Sequence, residues 1–404
     1  TMDTFIARQP IFDLNQNVYG YELLFRSGLE NVFRHTDPNQ ATSKVISDSF
    51  FLMDLQSLTG GKRAFINITR DILLEEFLYL VPKERIVIEI LENVVPDGDV
   101  VAACAKLKRA GYLLAMDDFV YDDRFLPLIH LTDFIKVDFL STEKKVRSGL
   151  VKQFGPLGIR FLAEKVETLE MLEEARKTGY TYCQGYFFSK PRIISGKDIP
   201  GFKLHYLNIL REISRSELDF GKLTEIVKRE VSLSFKLLRY INSAFFGLRN
   251  KISSLKQALL LLGEKEIRKW ITLVTLATLG EDKPEEVVTQ SILRAKFCES
   301  LGSFVGLSHR REDLFLTGMF SMIDAILSRP ISEILMDIPI AEEIKKALLG
   351  EENRLGEVYQ YVLSYERGEW NKLYERGVKL GIDEEKAARL YTMAAQWSSG
   401  FSAL

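Results

Sequence analysis

Two adjacent carboxylates, Asp117-Asp118, follow the apolar run Tyr112-Leu-Leu-Ala-Met116. A strand-length apolar run that empties into polar groups is how a buried parallel strand delivers chemistry at its carboxyl end. Neighbouring acids repel unless a cation or a basic partner lies between them. The pattern recurs along the first half: Glu22, Asn67, Glu89, Lys136, Glu164 and Gln184 each fall at or near the end of an apolar segment. Any one of them reads equally well as a polar cap for a following helix. With Asp117 they make seven in succession, four of them acidic, and capping does not account for that. Together with Asp118 the carboxylates and the Asn67 carboxamide form a hard, oxygen-rich donor set, suited to Mg2+ or Mn2+ rather than zinc. Lys136 would offset part of the charge or hold a water. Two such ions a few ångströms apart serve phosphodiester hydrolysis, by activating a water and polarising a phosphoryl oxygen.

The elements that must position these groups follow from the pattern around them. Phe5 to Phe12 and Val18 to Arg26 are β-rich runs separated by the turn-forming Asp13-Leu-Asn-Gln-Asn17, which predicts a hairpin. A helix is expected over roughly Asn39 to Leu58, closed by Gly60-Gly61, then a strand Arg63 to Asn67 and a helix from about Arg70 to Leu80. Pro82 breaks that helix before the strand Arg85 to Glu92. Val100 to Ala110 reads as a helix ending at Gly111, followed by strands over 112–117 and 133–138. Arg160 to Glu164 and Tyr182 to Gln184 are two more strands, with the helix Thr168 to Thr178 between them. This βα succession with short spacings favours a parallel sheet closed into a TIM-type (β/α) barrel, whose strand ends converge on one mouth.

Beyond Pro191 the period changes. Ile193 to Pro200 is a short connector, and from Leu204 apolar positions recur at three and four, as in Val231, Phe235, Leu238, Ile241 and Phe245. Helices are expected over 219–229, 255–262, 264–279, 285–301, 312–328, 341–349, 354–366 and 384–398, with Gly247, Gly263, Gly302 and Gly350 as stops. The expected division is an α/β barrel over 1–200 and an all-α domain over 201–404, two domains of the size that 404 residues suggest.

Whole-chain numbers bound the function. Hydrophobic content of 46% with 27% charged residues is that of a globular protein, and a net charge of −2 offers no electrostatic case for nucleic acid or acidic lipid. Cys104, Cys183 and Cys298 form no CxxC pair, which argues against a zinc ribbon or disulfide framework and fits a reducing cytosol. No signal-type apolar run is visible at the N-terminus, and Ala258 to Leu262 is far short of the roughly 20 residues of a membrane helix. A cytoplasmic location without membrane attachment is expected.

The half from Phe5 to about Arg192 resembles an EAL domain, the TIM-barrel family that binds cyclic di-GMP and linearises it to pGpG. The matching pieces are Glu22-Leu-Leu-Phe-Arg26, Ile66-Asn67, Ile88-Glu-Ile-Leu-Glu92 and Asp117-Asp118-Phe119. Ile135-Lys-Val-Asp138, Ala163-Glu-Lys-Val-Glu167 and Gln184-Gly-Tyr-Phe-Phe-Ser-Lys-Pro191 complete the set in the same order. The resemblance implies metal ligation by Glu22, Asn67, Glu89 and Asp117, and a second metal served by Asp118 and Glu164. It assigns Lys136 to the water, Gln184 to the floor of the site and Arg26 to a substrate phosphate. Glu92 and Glu167 would brace the catalytic loop, Glu167 being counted with the catalytic set. Two departures stand out. Val120-Tyr-Asp-Asp-Arg-Phe125 has no glycine where active members carry a glycine-rich loop, and Ser27 to Gln40 is abbreviated on the substrate side.

The stretch Leu237-Leu-Arg-Tyr-Ile-Asn-Ser-Ala-Phe-Phe-Gly247, with Ile252-Ser-Ser-Leu-Lys-Gln-Ala258, resembles the HDOD family, helical relatives of the HD metal phosphohydrolases. The combination is that of YuxH-like EAL–HDOD bacterial signalling proteins. An HD site needs several histidines and a His-Asp pair. The four histidines here are His35, His130, His205 and His309, none followed by Asp. Ser321 and Met322 occupy the two ligand positions, and neither serves a hard or borderline metal there. Trp270, Trp370 and Trp397 fit core or interface anchors better than a cofactor cage. The charges from Glu264 to Lys269 alternate in sign, as on a solvated face.

Two functions follow. In the favoured one, a divergent barrel binds cyclic di-GMP or acts as a scaffold while the helical half recruits a protein partner. The alternative is an active Mg2+- or Mn2+-dependent cyclic di-GMP phosphodiesterase regulated by the helical half. A homodimer is compatible with either.

Overall fold

The computed structural model describes residues 4–27, 55–75, 78–79, 81–189, 201–213, 222–223, 236–238, 240–242, 252, 255–338 and 340–401. Most of the helix expected over Asn39 to Leu58, and most of the stretches 219–229 and 231–245, lie outside them.

Strands β1 (Thr4–Asp13) and β2 (Val18–Ser27) form the expected hairpin, whose turn is held by the Asp13 carboxylate accepting from the Asn15 and Asn17 backbone N–H groups at 2.8 and 2.9 Å. There follow α1 (Leu55–Thr59), β3 (Arg63–Ile68), α2 (Arg70–Leu74), β4 (Ile86–Ile90) and α3 (Gly98–Ala110). Then come β5 (Leu113–Met116), α4 (Leu126–Ile129), β6 (Phe134–Asp138), α5 (Lys144–Phe154), β7 (Arg160–Glu164), α6 (Leu169–Thr178) and β8 (Tyr182–Gln184). The eight strands close into a barrel in sequence order. From β2 onward every pairing is parallel, but β1 runs antiparallel to both its neighbours, β2 and β8. A short hairpin turn can only reverse the chain, so the strand that enters by a hairpin cannot share the direction of the rest.

β2 pairs with β3 only over Gly20 to Leu23, whereas β1 and β2 stay paired from Thr4↔Ser27 to Phe12↔Val18. The hairpin therefore runs past the barrel as a two-stranded ribbon, and Glu22 sits where the ribbon leaves the wall. The helix expected from Arg70 to Leu80 is one short turn, because Glu75 is extended at ψ 146. Thr168 and Asp97 cap α6 and α3 by accepting from the Met171 and Val100 N–H groups, and Gly179 and Gly111 end those helices in left-handed backbone.

The barrel is filled at its base by Ile11, Phe65, Val87, Ala115, Phe134 and Leu162, with Tyr19, Leu113 and Tyr182 against them. Phe65 meets Phe134 edge-on at 5.5 Å, and Tyr19 and Tyr182 lie 4.3 Å apart. Such aromatic pairs add to area burial.

By packing, the chain divides into two compact units: residues 1–190 with 363–396, and residues 191–362 with 397–404. Within the first, the Arg8 N–H donates to Tyr391 Oη at 3.4 Å, Gln9 Nε2 donates to the Arg367 carbonyl, and the Arg367 guanidinium lies over the Tyr186 ring. The second unit is helical, including Gly201–Ile213, Leu255–Leu279, Glu285–Leu301 and Arg311–Phe320. Gly263, at φ 73, breaks Leu255–Leu279 where the stop was expected. The helix expected over 312–328 is two, Arg311–Phe320 and Ile323–Leu327, and the helices Ile331–Asp337 and Trp370–Leu380 were not anticipated. Among the described residues, no helix is long and apolar enough to cross a membrane. The three cysteines are free and buried.

Gly185 follows Gln184 at φ +145, and a Cβ there would fall onto the Val166 carbonyl oxygen. Gly158, at φ +82, has open space instead. Gly185→Ala is expected to cost about 2 kcal/mol or more, through strain plus backbone collision, and Gly158→Ala about 1 kcal/mol, through strain alone. Urea unfolding of the two variants checks the order; equal losses would contradict the assigned close approach at Gly185.

Candidate metal centre at the mouth of the barrel

Strand alternation places the site. In β3, β4, β6 and β7 the core residues Phe65, Val87, Phe134 and Leu162 point into the barrel. Two residues on, the same face carries Asn67, Glu89, Lys136 and Glu164. Ala115 and Tyr182 lead in the same way to Asp117 and Gln184. Each polar group thus stands two residues beyond an apolar base residue of its own strand, and the parallel register sets Asn67 opposite Glu89.

Lys136 is at the centre, fully buried. Its Nζ lies 2.6 Å from Asp117 Oδ1, 2.9 Å from Glu89 Oε1, 3.0 Å from Glu164 Oε1 and 3.3 Å from Glu22 Oε2. Asn67 Nδ2 donates to Glu22 Oε1 at 3.0 Å, and Gln184 Nε2 donates to Glu22 Oε2 at 2.7 Å and to Gln9 Oε1 at 3.1 Å. Ligand atoms of Glu22, Glu89 and Asp117 all lie within 4.8 Å of one another.

One ammonium does not neutralise four buried carboxylates, and the titration shifts show it. Burial pushes Glu164 up to about 8 and raises Glu89 well above the carboxylate range, with Lys136 opposing both shifts. Burial alone would discharge Lys136. The surrounding acids, Glu164 foremost, reverse that and hold its pKa well above the usual lysine value.

The donor set suits a hard cation. Asn67 Oδ1, Glu89 Oε2 and Glu164 Oε2 are buried acceptors with no hydrogen-bond donor, each carrying a desolvation cost that a divalent ion would relieve. Five of the six sequence-derived ligands, Glu22, Asn67, Glu89, Asp117 and Glu164, are brought together. Asp118 is at the rim, its side chain 46% exposed, 3.9 Å from Lys165 Nζ. Glu92 and Glu167 are exposed on the loops after β4 and β7, outside the Lys136 cluster. Arg26 falls in the part of β2 whose side chains lie outside the described residues.

Two groups at the mouth were given no role in the motif reading. Gln9 faces Glu22 across the hairpin and accepts from Gln184. The hairpin register alone could have pointed to it. Asp138, on the Lys136 face of β6, pairs with Lys165 at 2.5 Å. The loop after Phe119 also differs from expectation. Asp118 itself takes the left-handed turn at φ 41, and no residue over 119–125 adopts positive φ, so this loop needs no glycine. Asp122 caps its turn by accepting from the Arg124 N–H.

In the helical unit, Asn242 joins the two motif pieces. Its Nδ2 donates to the Leu238 and Ile252 carbonyls, and its Oδ1 accepts from the Ile252 N–H, each at 2.7 Å. Of the pair expected at the HD ligand positions, Ser321 Oγ donates to the Gly318 carbonyl at 2.6 Å and accepts from Arg294 at 3.2 Å, and Met322 is buried. His309 is exposed.

Lys136→Met removes the only buried cation described in the lumen. In chelator it is expected to destabilise the protein by about 3–5 kcal/mol, because it strands buried carboxylates, and Mn2+ should restore more stability to it than to the wild type. Denaturant curves with and without Mn2+ test this; equal stability in chelator would deny the cluster its ionic character. A second expectation concerns pH. With Glu164 raised from 4.5 to about 8, the folded chain keeps a proton that the unfolded chain has lost. Stability of the metal-free protein therefore falls as pH rises across that window, whereas a folded state with Glu164 ionised throughout would show no such decline.

Comparison with known proteins agrees with the geometry. The EAL domain family matches residues 4–191 and the HDOD domain family residues 199–336. The uncharacterized protein YuxH of Bacillus subtilis is 37% identical over 404 residues, covering 98% of each chain. The cyclic di-GMP phosphodiesterase CdgJ of Vibrio cholerae is 34% identical over 407 residues, covering 99% of this chain and 94% of that protein. Among solved structures, a calcium and cyclic di-GMP complex of Klebsiella pneumoniae BlrP1 is 24% identical, with a TM-score of 0.40, over 46% of this chain and 55% of that one. With both domains matched in order and relatives aligned along nearly the whole chain, this protein belongs to the EAL–HDOD family of YuxH and CdgJ.

Proposed function

We propose that the protein is a divalent-metal-dependent phosphodiesterase that opens cyclic di-GMP to linear pGpG at the barrel mouth, with the helical half as a protein-interaction module that regulates it. The convergence of Glu22, Asn67, Glu89, Asp117 and Glu164 around buried Lys136 carries this reading. The relationship to CdgJ along nearly the full length of both chains supports the substrate.

Glu22, Asn67, Glu89 and Asp117 would hold Mg2+ or Mn2+, with Asp118 and Glu164 on the side of a second ion. The bound metal would supply Lewis acidity toward a phosphoryl oxygen and a water of lowered pKa. The chain's own groups do the rest. Lys136 keeps the carboxylates from repelling one another and offers an ammonium to a water in the lumen. Gln184, itself held by Gln9, fixes the rotamer of Glu22 from one side, and Asn67 fixes it from the other. Arg26 is assigned to a substrate phosphate, and Glu92 and Glu167 to support of the surrounding loops.

A receptor that binds cyclic di-GMP without cleaving it is favoured by one observation: Asp118 faces the Lys165 ammonium. The missing glycine after Phe119 no longer argues for that reading, since the turn is made at Asp118. The deciding measurement is chromatography of cyclic di-GMP incubated with the protein and Mn2+, beside calorimetric titration with Ca2+ in place of Mn2+. Wild type should yield pGpG, and Glu22→Ala should reduce turnover by about 100-fold or more. Heat of binding without product would leave the receptor, and neither signal would sink both readings.

A further inference from the structure

Two residues just past strand ends adopt left-handed backbone: Asp118 after β5 at φ 41, and Lys165 after β7 at φ 53. Aspartate tolerates this region through its short polar side chain, but for lysine it costs on the order of 1 kcal/mol. Such strain persists only where the surroundings over-determine it. They do so here on both sides. The next residue is pinned, the Val166 N–H donating to the Gln184 carbonyl at 2.9 Å and the Val166 carbonyl accepting from the Phe187 N–H at 3.2 Å. The side chain is pinned as well, Lys165 Nζ lying 2.5 Å from Asp138 Oδ2 and 3.9 Å from Asp118 Oδ1.

The Asp138 carboxylate is itself fixed. Its other oxygen accepts from the Leu140 N–H at 2.7 Å and the Ser141 N–H at 3.0 Å, so the ammonium meets a rigid partner. Ordinary strand alternation would turn the residue after Glu164 away from the lumen. The left-handed turn at Lys165 takes its side chain out of that alternation and sets its charge at the rim. There it faces Asp118, the neighbour of a carboxylate in the buried cluster. A positive charge has been put beside the donor that the inner four ligands leave over.

We propose that the Lys165 ammonium is a tethered counter-ion filling the outer cation position of the mouth. The chain then holds one divalent ion tightly, through Glu22, Asn67, Glu89 and Asp117, and takes a second on the Asp118 side only when Lys165 swings away. The inference rests on the reading that the mouth binds divalent metal. The Lys165 and Asp118 side chains are 51% and 46% exposed, and half-exposed pairs are weak. At Asp118 the ammonium is therefore a displaceable competitor rather than a permanent block, and its 2.5 Å bond to the largely buried Asp138 is what rising metal concentration or an arriving phosphate must overcome.

The test counts Mn2+ bound by the full chain, using calorimetry and the electron paramagnetic resonance signal of free Mn2+. Lys165→Gln keeps the Cβ and its backbone strain but loses the charge, whereas Lys165→Gly loses both. Both variants are expected to bind a second ion about tenfold more tightly than wild type. Adding Asp118→Asn to Lys165→Gln should abolish that gain. Equal second-ion affinity in wild type and Lys165→Gln overturns the proposal, whatever the glycine variant does. A gain that survives Asp118→Asn overturns it too. Binding of no ion by any of the chains removes the metal reading itself, a result distinguishable from either of the others.

Discussion

A buried ammonium surrounded by four carboxylates organises this protein. Lys136 is wholly enclosed, and an ion there is tolerable only because Glu22, Glu89, Asp117 and Glu164 meet it from strands β2, β4 and β7 and from the end of β5. The arrangement remains short of positive charge. Burial keeps protons on carboxyls that would otherwise lose them, and several oxygens have no donor. A domain built for stability alone would do better with apolar side chains in that layer. The layer makes sense as a binding surface held in a state that welcomes more cation.

The base of the barrel and its mouth are two solutions to one geometric rule. Because side chains alternate along a strand, Phe65 and Asn67 share a face, as do Phe134 and Lys136. The aromatic plug beneath fixes how each strand is rotated, and so where each polar group points. Precision at the mouth is inherited from packing at the base. The same rule explains why Lys165 needs an unusual backbone: its place in the alternation is the wrong one for the rim, and a left-handed turn corrects it.

That rule is also why so much of the site could be read from residues alone. Asn67, Glu89, Asp117, Lys136, Glu164 and Gln184 each lie in or just after an apolar segment, two positions beyond a residue of the base, and a period of two needs no tertiary information. Glu22 lies within a ten-residue strand rather than at its end, because β2 continues beyond the barrel as a ribbon with β1, and only pairing shows where the wall stops. Lys165 was visible as a cation beside Glu164, but nothing in its type announces a left-handed φ. In the helical half the long apolar periods were legible. The break at Ser321-Met322 was not, since neither residue is a helix breaker and the bond of Ser321 to Arg294 is tertiary. Nor does periodicity reveal that 363–396 packs with the barrel, as no local pattern encodes a partner as distant in sequence as Tyr391 is from Arg8.

That last feature bears on how the molecule is made. The compact unit containing the barrel draws its pieces from both ends of the chain, with Arg8 bonded to Tyr391. Such sequence separation means high contact order, so loop closure must be met before the contact repays it. During synthesis, domains ordinarily settle from the amino end as they emerge. Here residues 363–396 must have left the ribosome before the first unit can be complete. The barrel's own unit must wait for residues 363–396, translated after all of 191–362.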